Sequence, residues 1–431
     1  MIIRKKITKQ RLWMFFLFPL LFVADILYGA MGFYGVKLWV SPGELLRGVA
    51  LIAAIVIISK NSLLLSSPAR IWFYLTLLSA LPSIIISATL DENLLQDIIF
   101  LFRIFYGPFI ILMIITLIRK YRVTNDSIFK WIESSGYLLG IILLSTQFLG
   151  FKQNTYGSYA VGSTGIFTAQ NDLTLSIGIA MLAACYHVIY SFSFIRLLLL
   201  GLTMFACVNI GTRASLAVAL ACVLVILVLT VRGKHFGKQR KRSVRRVKLI
   251  VVGSFAIICM LFILGYGFQL QQRTTYQQDK INRLAQGELP RAVTLQLAHG
   301  YLAKRPWFYQ LTGEGISSFM KGIGRSYTGK TDSKLVEVDY LDLLGAVGGI
   351  CTLLLYIIYI YLFVNTLKIF VFIRLSEAGL ISAALLMYLG HSILAGHAFT
   401  SPAVSTLVAG YAAAALTMEK KKNIFAPKQF G

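Results

Sequence analysis

Four arginines and one short acidic run are the residues here whose type and placement invite chemistry. Arg213, in Gly211-Thr212-Arg213-Ala214-Ser215, falls at the junction of two apolar stretches. An arginine beside hydrocarbon is costly, so it meets an anion, points into water or snorkels to headgroups. Arg103 lies inside another apolar stretch, where it pairs with a carboxylate such as Asp25 or serves a ligand. Arg291 follows Pro290 at the start of a helical pattern. Free N–H groups and a guanidinium fork there suit pyrophosphate, although an ordinary surface arginine is the plainer reading. Arg283 stands just upstream in the same polar segment. In Glu337-Val338-Asp339-Tyr340-Leu341-Asp342, the two aspartates share a helical face. Such carboxylates supply a general base or simply favour the helix dipole.

Two further polar sites border apolar runs. Gln170-Asn171-Asp172 opens one run, as sugar-binding groups or as a helix cap. His391 and His397 lie late in another, where a satisfied core histidine is the ordinary reading; His397 is kept among the substrate-binding candidates.

The elements that must position these groups are membrane spans. The chain has 431 residues, 57% hydrophobic and only 14% charged, against nearer a quarter charged in soluble domains. About twelve stretches are long enough to cross a bilayer as helices: 12–29, 42–59, 70–88, 98–118, 131–149, 171–190, 196–211, 212–232, 249–267, 341–363, 378–397 and 401–418. The expected organisation is spans one to nine in 1–267, a polar loop over 268–340, and three more spans with a tail in 341–431. The N-terminal Met1-to-Arg11 segment and its apolar run resemble a signal sequence. No small-residue cleavage site follows, so a retained first span is expected.

Charge sets the orientation. The net charge of +25 would fit nucleic acid, but the basic residues sit mainly in short loops between spans, so no nucleic acid is expected. With both termini in the cytoplasm, every inside segment is basic, above all Arg232 to Lys248, and the short outside segments are nearly neutral. The loop Phe268 to Tyr340 then lies outside. It is basic itself, which an anionic ligand would explain, and Pro290 to Tyr309 within it reads as a helix that Pro306 ends.

Two other chemistries find little support. Gly324 to Thr331 satisfies the P-loop pattern G-x-x-x-x-G-K-[ST], but no apolar strand precedes it and no apolar helix follows, so a turn-rich loop is expected. Cys185, Cys207, Cys222, Cys259 and Cys351 lie in apolar runs without ligand spacing and read as small core residues; no metal or cofactor is expected.

Taken in order, these segments resemble the O-antigen polymerase and O-antigen ligase superfamily of bacterial envelope enzymes. The resemblance rests on Gly211-Thr212-Arg213-Ala214-Ser215-Leu216, on Arg291 through Lys304-Arg305-Pro306 to Gly313-Glu314-Gly315, on Glu337-Val338-Asp339 to Gly348, and on Gln170-Asn171-Asp172. It covers the chain from about Phe167 to Ile350. It implies an all-α polytopic membrane protein with a GT-C-like fold and a large periplasmic loop in the bacterial inner membrane. It also implies inverting, metal-independent glycosyl transfer from undecaprenyl pyrophosphate, with the active site facing the periplasm. Arg213 and Arg291 would stabilise the departing pyrophosphate, Glu337 or Asp339 would be the base, and Arg103, Gln170, Asn171, Arg283 and His397 would bind substrate. Ligases of the family typically carry a histidine at the start of the span after the loop. This chain has Glu337 and Asp339 there, which favours a polymerase of lipid-linked repeat units, commonly partnered by a chain-length regulator. A ligase acting on lipid A–core and a flippase or other transporter are the alternatives.

Overall fold

The computed structural model describes residues 2–36, 38, 40–90, 93–151, 154–156, 159–167, 169–232, 278, 290–328 and 336–425. These are helical almost throughout. α1 (Ile2–Phe15) and α2 (Leu21–Phe33) join through a π-turn around Pro19, which has no N–H to give to an α-helical ladder. α3 (Pro42–Lys60), α4 (Ser67–Thr89), α5 (Leu94–Tyr121) and α6 (Asn125–Phe148) follow. An antiparallel hairpin, β1 (Asn154–Tyr156) and β2 (Tyr159–Ser163), leads to α7 (Gln170–Tyr190), α8 (Phe194–Asn209) and α9 (Arg213–Arg232). Three shorter helices, α10 (Pro290–Lys304), α11 (Trp307–Thr312) and α12 (Ile316–Thr328), precede α13 (Asp339–Ile373), α14 (Ser376–Leu394) and α15 (Pro402–Phe425).

Among the described residues, nine helices are long and apolar enough to cross a membrane, Lys9–Phe33 being one of them. Two shorter apolar helices, Phe194–Asn209 and Pro402–Met418, accompany them. The expected span 249–267 lies outside the described residues. Elsewhere helices fall where spans are expected, with several boundaries moved, the fifth and tenth among them. The fifth starts at Asn125, not 131, because the Thr124 hydroxyl caps it by accepting from the Ser127 N–H (3.3 Å). The tenth runs on to Ile373. Large apolar side chains stand exposed along single faces, as with Leu45, Val49, Ile52 and Val56 of α3 or Leu353, Ile357 and Ile360 of α13. Water would not tolerate faces of that extent, and lipid does. The protein is an all-α, multi-pass membrane protein.

α7 is the centre of the bundle. Every residue from Leu173 to Ile189 is buried, against α6, α8, α9, α14 and α15. Small residues bring the neighbours in: a Cβ on Gly136 would stand 2.6 Å from that of Ala180. The junction of the seventh and eighth spans is a tight turn through Gly211 (φ 80°), and the Thr212 hydroxyl accepts from the Ser215 N–H at 2.9 Å.

Residues 290–328 of the polar loop form a helical platform on one end of the bundle. α10 starts at Pro290 as expected but stops at Lys304, and α11 restarts after Pro306. Over 324–328 helix replaces the expected turn-rich loop. Gly324 to Thr328 are the last turn of α12, whose Ile316, Phe319 and Ile323 bury one helical stripe. Residues 329–331 lie outside the described set.

Asp97, near the start of α5 and 2% exposed, holds this platform down. Its carboxylate accepts from the Ser317 N–H and hydroxyl, both at 2.7 Å, and from the Ser87 hydroxyl. It thereby caps the N-terminus of a helix far along the chain. Backbone bonds run beside it, Glu314 N–H to the Gly345 carbonyl (3.0 Å) and Gly315 N–H to that of Ala346 (3.1 Å). Gly313 and Gly348, both at φ 76°, let the two segments touch; the break at Gly348 divides α13 into two helical pieces.

Asp97→Ala leaves buried donors without an acceptor, at roughly 1–3 kcal/mol each. Trypsin is expected to cut after Lys321 or Arg325 much faster in this variant than in wild-type protein in the same detergent. Unchanged cleavage would remove Asp97 as the anchor.

Candidate functional site

A cavity of about 340 Å³ opens at the platform end of the bundle. That lies within the ~300–1,000 Å³ typical of small-molecule sites. Its walls include Asp25 and Tyr28 of α2, Ser41, Glu44 and Arg47 of α3, Arg103 of α5, Asp172 and Ser176 of α7, and Thr400, Ser401 and Pro402 at the start of α15. Three helix N-termini, those of α3, α7 and α15, thus border one space. Their dipoles favour negative charge there.

Local sequence explains the wall of α3. Ser41-Pro42-Gly43-Glu44 is a capping box: the Glu44 N–H donates to the Ser41 hydroxyl (3.0 Å) and the Ser41 N–H to Glu44 Oε2 (3.2 Å). The other carboxylate oxygen, Oε1, accepts from Arg103 Nη2 at 3.1 Å. Arg47 forks onto Asp25, with Nη1 to Oδ1 at 2.9 Å and Nη2 to Oδ2. Gly43 permits this, since a Cβ there would lie 2.1 Å from Asp25 Oδ1. The sequence-level pairing of Arg103 with Asp25 is therefore replaced: Asp25 belongs to Arg47 and Arg103 to Glu44.

The two pairs differ in what an anion could take from them. The Arg47 and Asp25 side chains are 11% and 26% exposed and bound twice. Those of Arg103 and Glu44 are 47% and 48% exposed and bound once. Exposed pairs contribute roughly 0–1 kcal/mol, so Arg103 is the guanidinium an entering anion can recruit. The third acid, Asp172, accepts a hydrogen bond from the Ser401 hydroxyl, with the charges of His397 and Arg47 nearby. Among the described residues it is the cavity carboxylate that no arginine hydrogen-bonds, and so the one placed to accept a proton from a hydroxyl group.

The other residues singled out by sequence fall as follows. Arg103 lines the cavity. Gln170 and Asn171 occupy the first turn of α7 but leave the lining to Asp172. Arg213 starts α9, exposed, and among the described residues has no hydrogen bond or ion pair. Arg291 lies in the first turn of α10. Arg283 is outside the described residues. Glu337 is exposed, in a left-handed conformation (φ 63°).

Asp339 is not at the cavity. It is 1% exposed, and its Oδ2 accepts from the Ala398 N–H (2.7 Å) and the Phe399 N–H (3.0 Å). Asp342 likewise accepts from the Val336 N–H at 3.1 Å. A carboxylate engaged by backbone amides is poorly placed to collect a substrate proton. What Asp339 does is hold the loop that carries His397 (φ 63°) and, beyond it, Ser401 of the cavity wall. Outside the spans, burial and the neighbouring Glu314 push the Tyr301 hydroxyl well above its usual range. It therefore stays neutral where Arg305 stacks on its ring (4.8 Å) and pairs with Glu314.

Sequence reasoning missed Arg47, Glu44 and Ser401 as site residues. The S-x-x-E box was a legible signal for Glu44, and an arginine inside the 42–59 span was one for Arg47; nothing local marks Ser401. Among the described residues no group of three His, Cys, Asp or Glu side chains is placed to hold a metal ion. No protein-family model matches the chain, and a search of the curated proteins finds no match. The fold and cavity define a multi-pass, all-helical membrane protein with a polar, charged chamber at one end.

Removing a partner should separate the two ion pairs. Asp25→Ala leaves Arg47 buried without its acceptor and is expected to cost roughly 3–5 kcal/mol in mixed-micelle unfolding. Glu44→Gln should cost under about 1 kcal/mol. Asp339→Ala, which orphans two buried amides, should cost roughly 2–6 kcal/mol in the same titration. Equal costs for Asp25→Ala and Glu44→Gln would contradict the assignment.

Proposed function

We propose that the protein is a polymerase of undecaprenyl-pyrophosphate-linked oligosaccharide repeat units, an inverting glycosyltransferase of the GT-C type. One observation carries this reading: three helix N-termini, two arginines and an acid hydrogen-bonded by no described arginine border one chamber at the end of a membrane bundle. The helix ends and Arg103 would hold the pyrophosphate, together with Arg213 and Arg291 if the donor reaches beyond the chamber. Asp172 would take the proton from the acceptor sugar hydroxyl. That oxygen attacks the anomeric carbon with inversion, the bond to the phosphate oxygen breaks, and its electron pair leaves with undecaprenyl pyrophosphate. Charge grows on the leaving group during the step, so fixed cations favour the transition state over the ground state. In this reading the chain has twelve spans in the bacterial inner membrane, both termini cytoplasmic and the chamber facing the periplasm. A chain-length regulator is the expected partner.

The test uses purified full-length protein in lipid with undecaprenyl-pyrophosphate oligosaccharide as sole substrate. Wild type should give a ladder of repeat-unit lengths. Arg103→Ala should remove it without loss of folded protein, and Asp172→Asn should slow it by about 10²–10⁴-fold, the usual contribution of a general base. Product formed only on adding lipid A–core would make the protein a ligase. Transport of the substrate without any product would make it a carrier.

A further inference from the structure

At the opposite end of the bundle a second groove, about 360 Å³, lies between α1 and α6. Gln10 and Arg11 line it from α1, and Ser127, Lys130, Trp131 and Ser134 from α6. The α6 residues fall at i, i+3, i+4 and i+7, one face of its first three turns. Both spans begin at this level, at Lys9 and Asn125, so the groove sits where hydrocarbon gives way to headgroups. Lys60, Arg119, Lys120, Arg232 and Arg374 end or follow helices at the same end of the bundle.

Three features of the groove point to one ligand. Arg11 is exposed and, among the described residues, has no carboxylate partner. Lys130 has one, Asp126 at 2.7 Å, but Asp126 also faces His187 at 3.2 Å, and an ammonium has three donors. The Ser127 hydroxyl and the Gln10 amide add uncharged donors to the groove, and the Ser134 hydroxyl, which donates to the Lys130 carbonyl (2.8 Å), adds an acceptor. Beside them runs an apolar strip, Leu12 (66% exposed) and Phe15 (45% exposed), the latter ring set edge-on to Trp131 with centroids 6.4 Å apart. Cations alone would bind any anion. Cations over hydroxyls, an interfacial tryptophan and an open apolar track together match a phosphate that carries acyl chains.

We propose that the α1–α6 groove is a binding site for the headgroup of an anionic glycerophospholipid. Arg11 and Lys130 hold the phosphate, the serine hydroxyls and Gln10 meet the glycerol, and an acyl chain lies along Leu12, Phe15 and Trp131. The site is independent of the chamber at the other end and of the reaction proposed there.

The experiment is native mass spectrometry of the full chain in detergent, with dioleoyl phosphatidylglycerol or dioleoyl phosphatidylcholine added at equal concentration. One phosphatidylglycerol should be retained in strong preference to phosphatidylcholine. Arg11→Gln should weaken that retention roughly fivefold, as expected for loss of one cation near a lipid surface, with an unchanged melting temperature. Lys130→Gln should act in the same direction. Arg374→Gln, a cation at the same end outside the groove, should leave retention as it was. Glycerol 3-phosphate should not displace the lipid. Equal retention of the two lipids, no effect of Arg11→Gln, an equal effect of Arg374→Gln, or displacement by glycerol 3-phosphate would each overturn the proposal.

Discussion

The structure turns on what replaces water for backbone amides at the end of a membrane bundle. Inside a helix every amide is satisfied, but at helix starts and in connecting loops it is not, and near hydrocarbon an unsatisfied group is expensive. Here buried aspartates take the place of solvent. Asp97 receives the start of α12, Asp339 the loop before α15, and Asp342 the segment before α13. Asp97 and Asp339 join parts of the chain that no local preference would bring together, while Asp342 acts locally, six residues from its partner.

The chamber inherits its shape from these anchors. α5 presents Asp97 to the platform and Arg103 to the chamber, so the same helix is fixed at one residue and used at another. The loop held by Asp339 runs on into Thr400 and Ser401, which reach the Asp172 side. The division of labour is physical. Carboxylates saturated by backbone donors build the wall, and the half-exposed Glu44–Arg103 pair and Asp172 face the space inside.

What could be read from the sequence follows interaction range. Spans were legible because hydrophobicity is a sum over neighbours, and the helix at Pro290 because proline acts locally. The start of α6 was obscured because Asn125, Asp126, Ser127 and Lys130 lower its hydropathy, although Asp126 is paired with Lys130 and His187 in space. α12 was hidden by its glycines and charges, although Ile316, Phe319 and Ile323 carry a helical period. The acidic run at Glu337 to Asp342 stood out by composition, yet the partners of Asp339 lie in a loop far along the chain. Arg47 looked like any arginine in an apolar run until Gly43 brought Asp25 within reach.

The meeting of Gly313 with Gly348 has a consequence for inheritance. A Cβ on the first would stand 2.4 Å from the Ala346 carbonyl oxygen, and on the second 2.3 Å from that of Leu311. Ordinary contacts between side chains can be repaired, because a larger residue on one side is offset by a smaller one opposite. Here the obstacle on each side is main chain, which no substitution can trim. Neither glycine can be lost first and rescued later by a change at the other. For a population carrying this gene the two positions form a ratchet without intermediate steps, released only by an insertion or deletion that rebuilds the crossing.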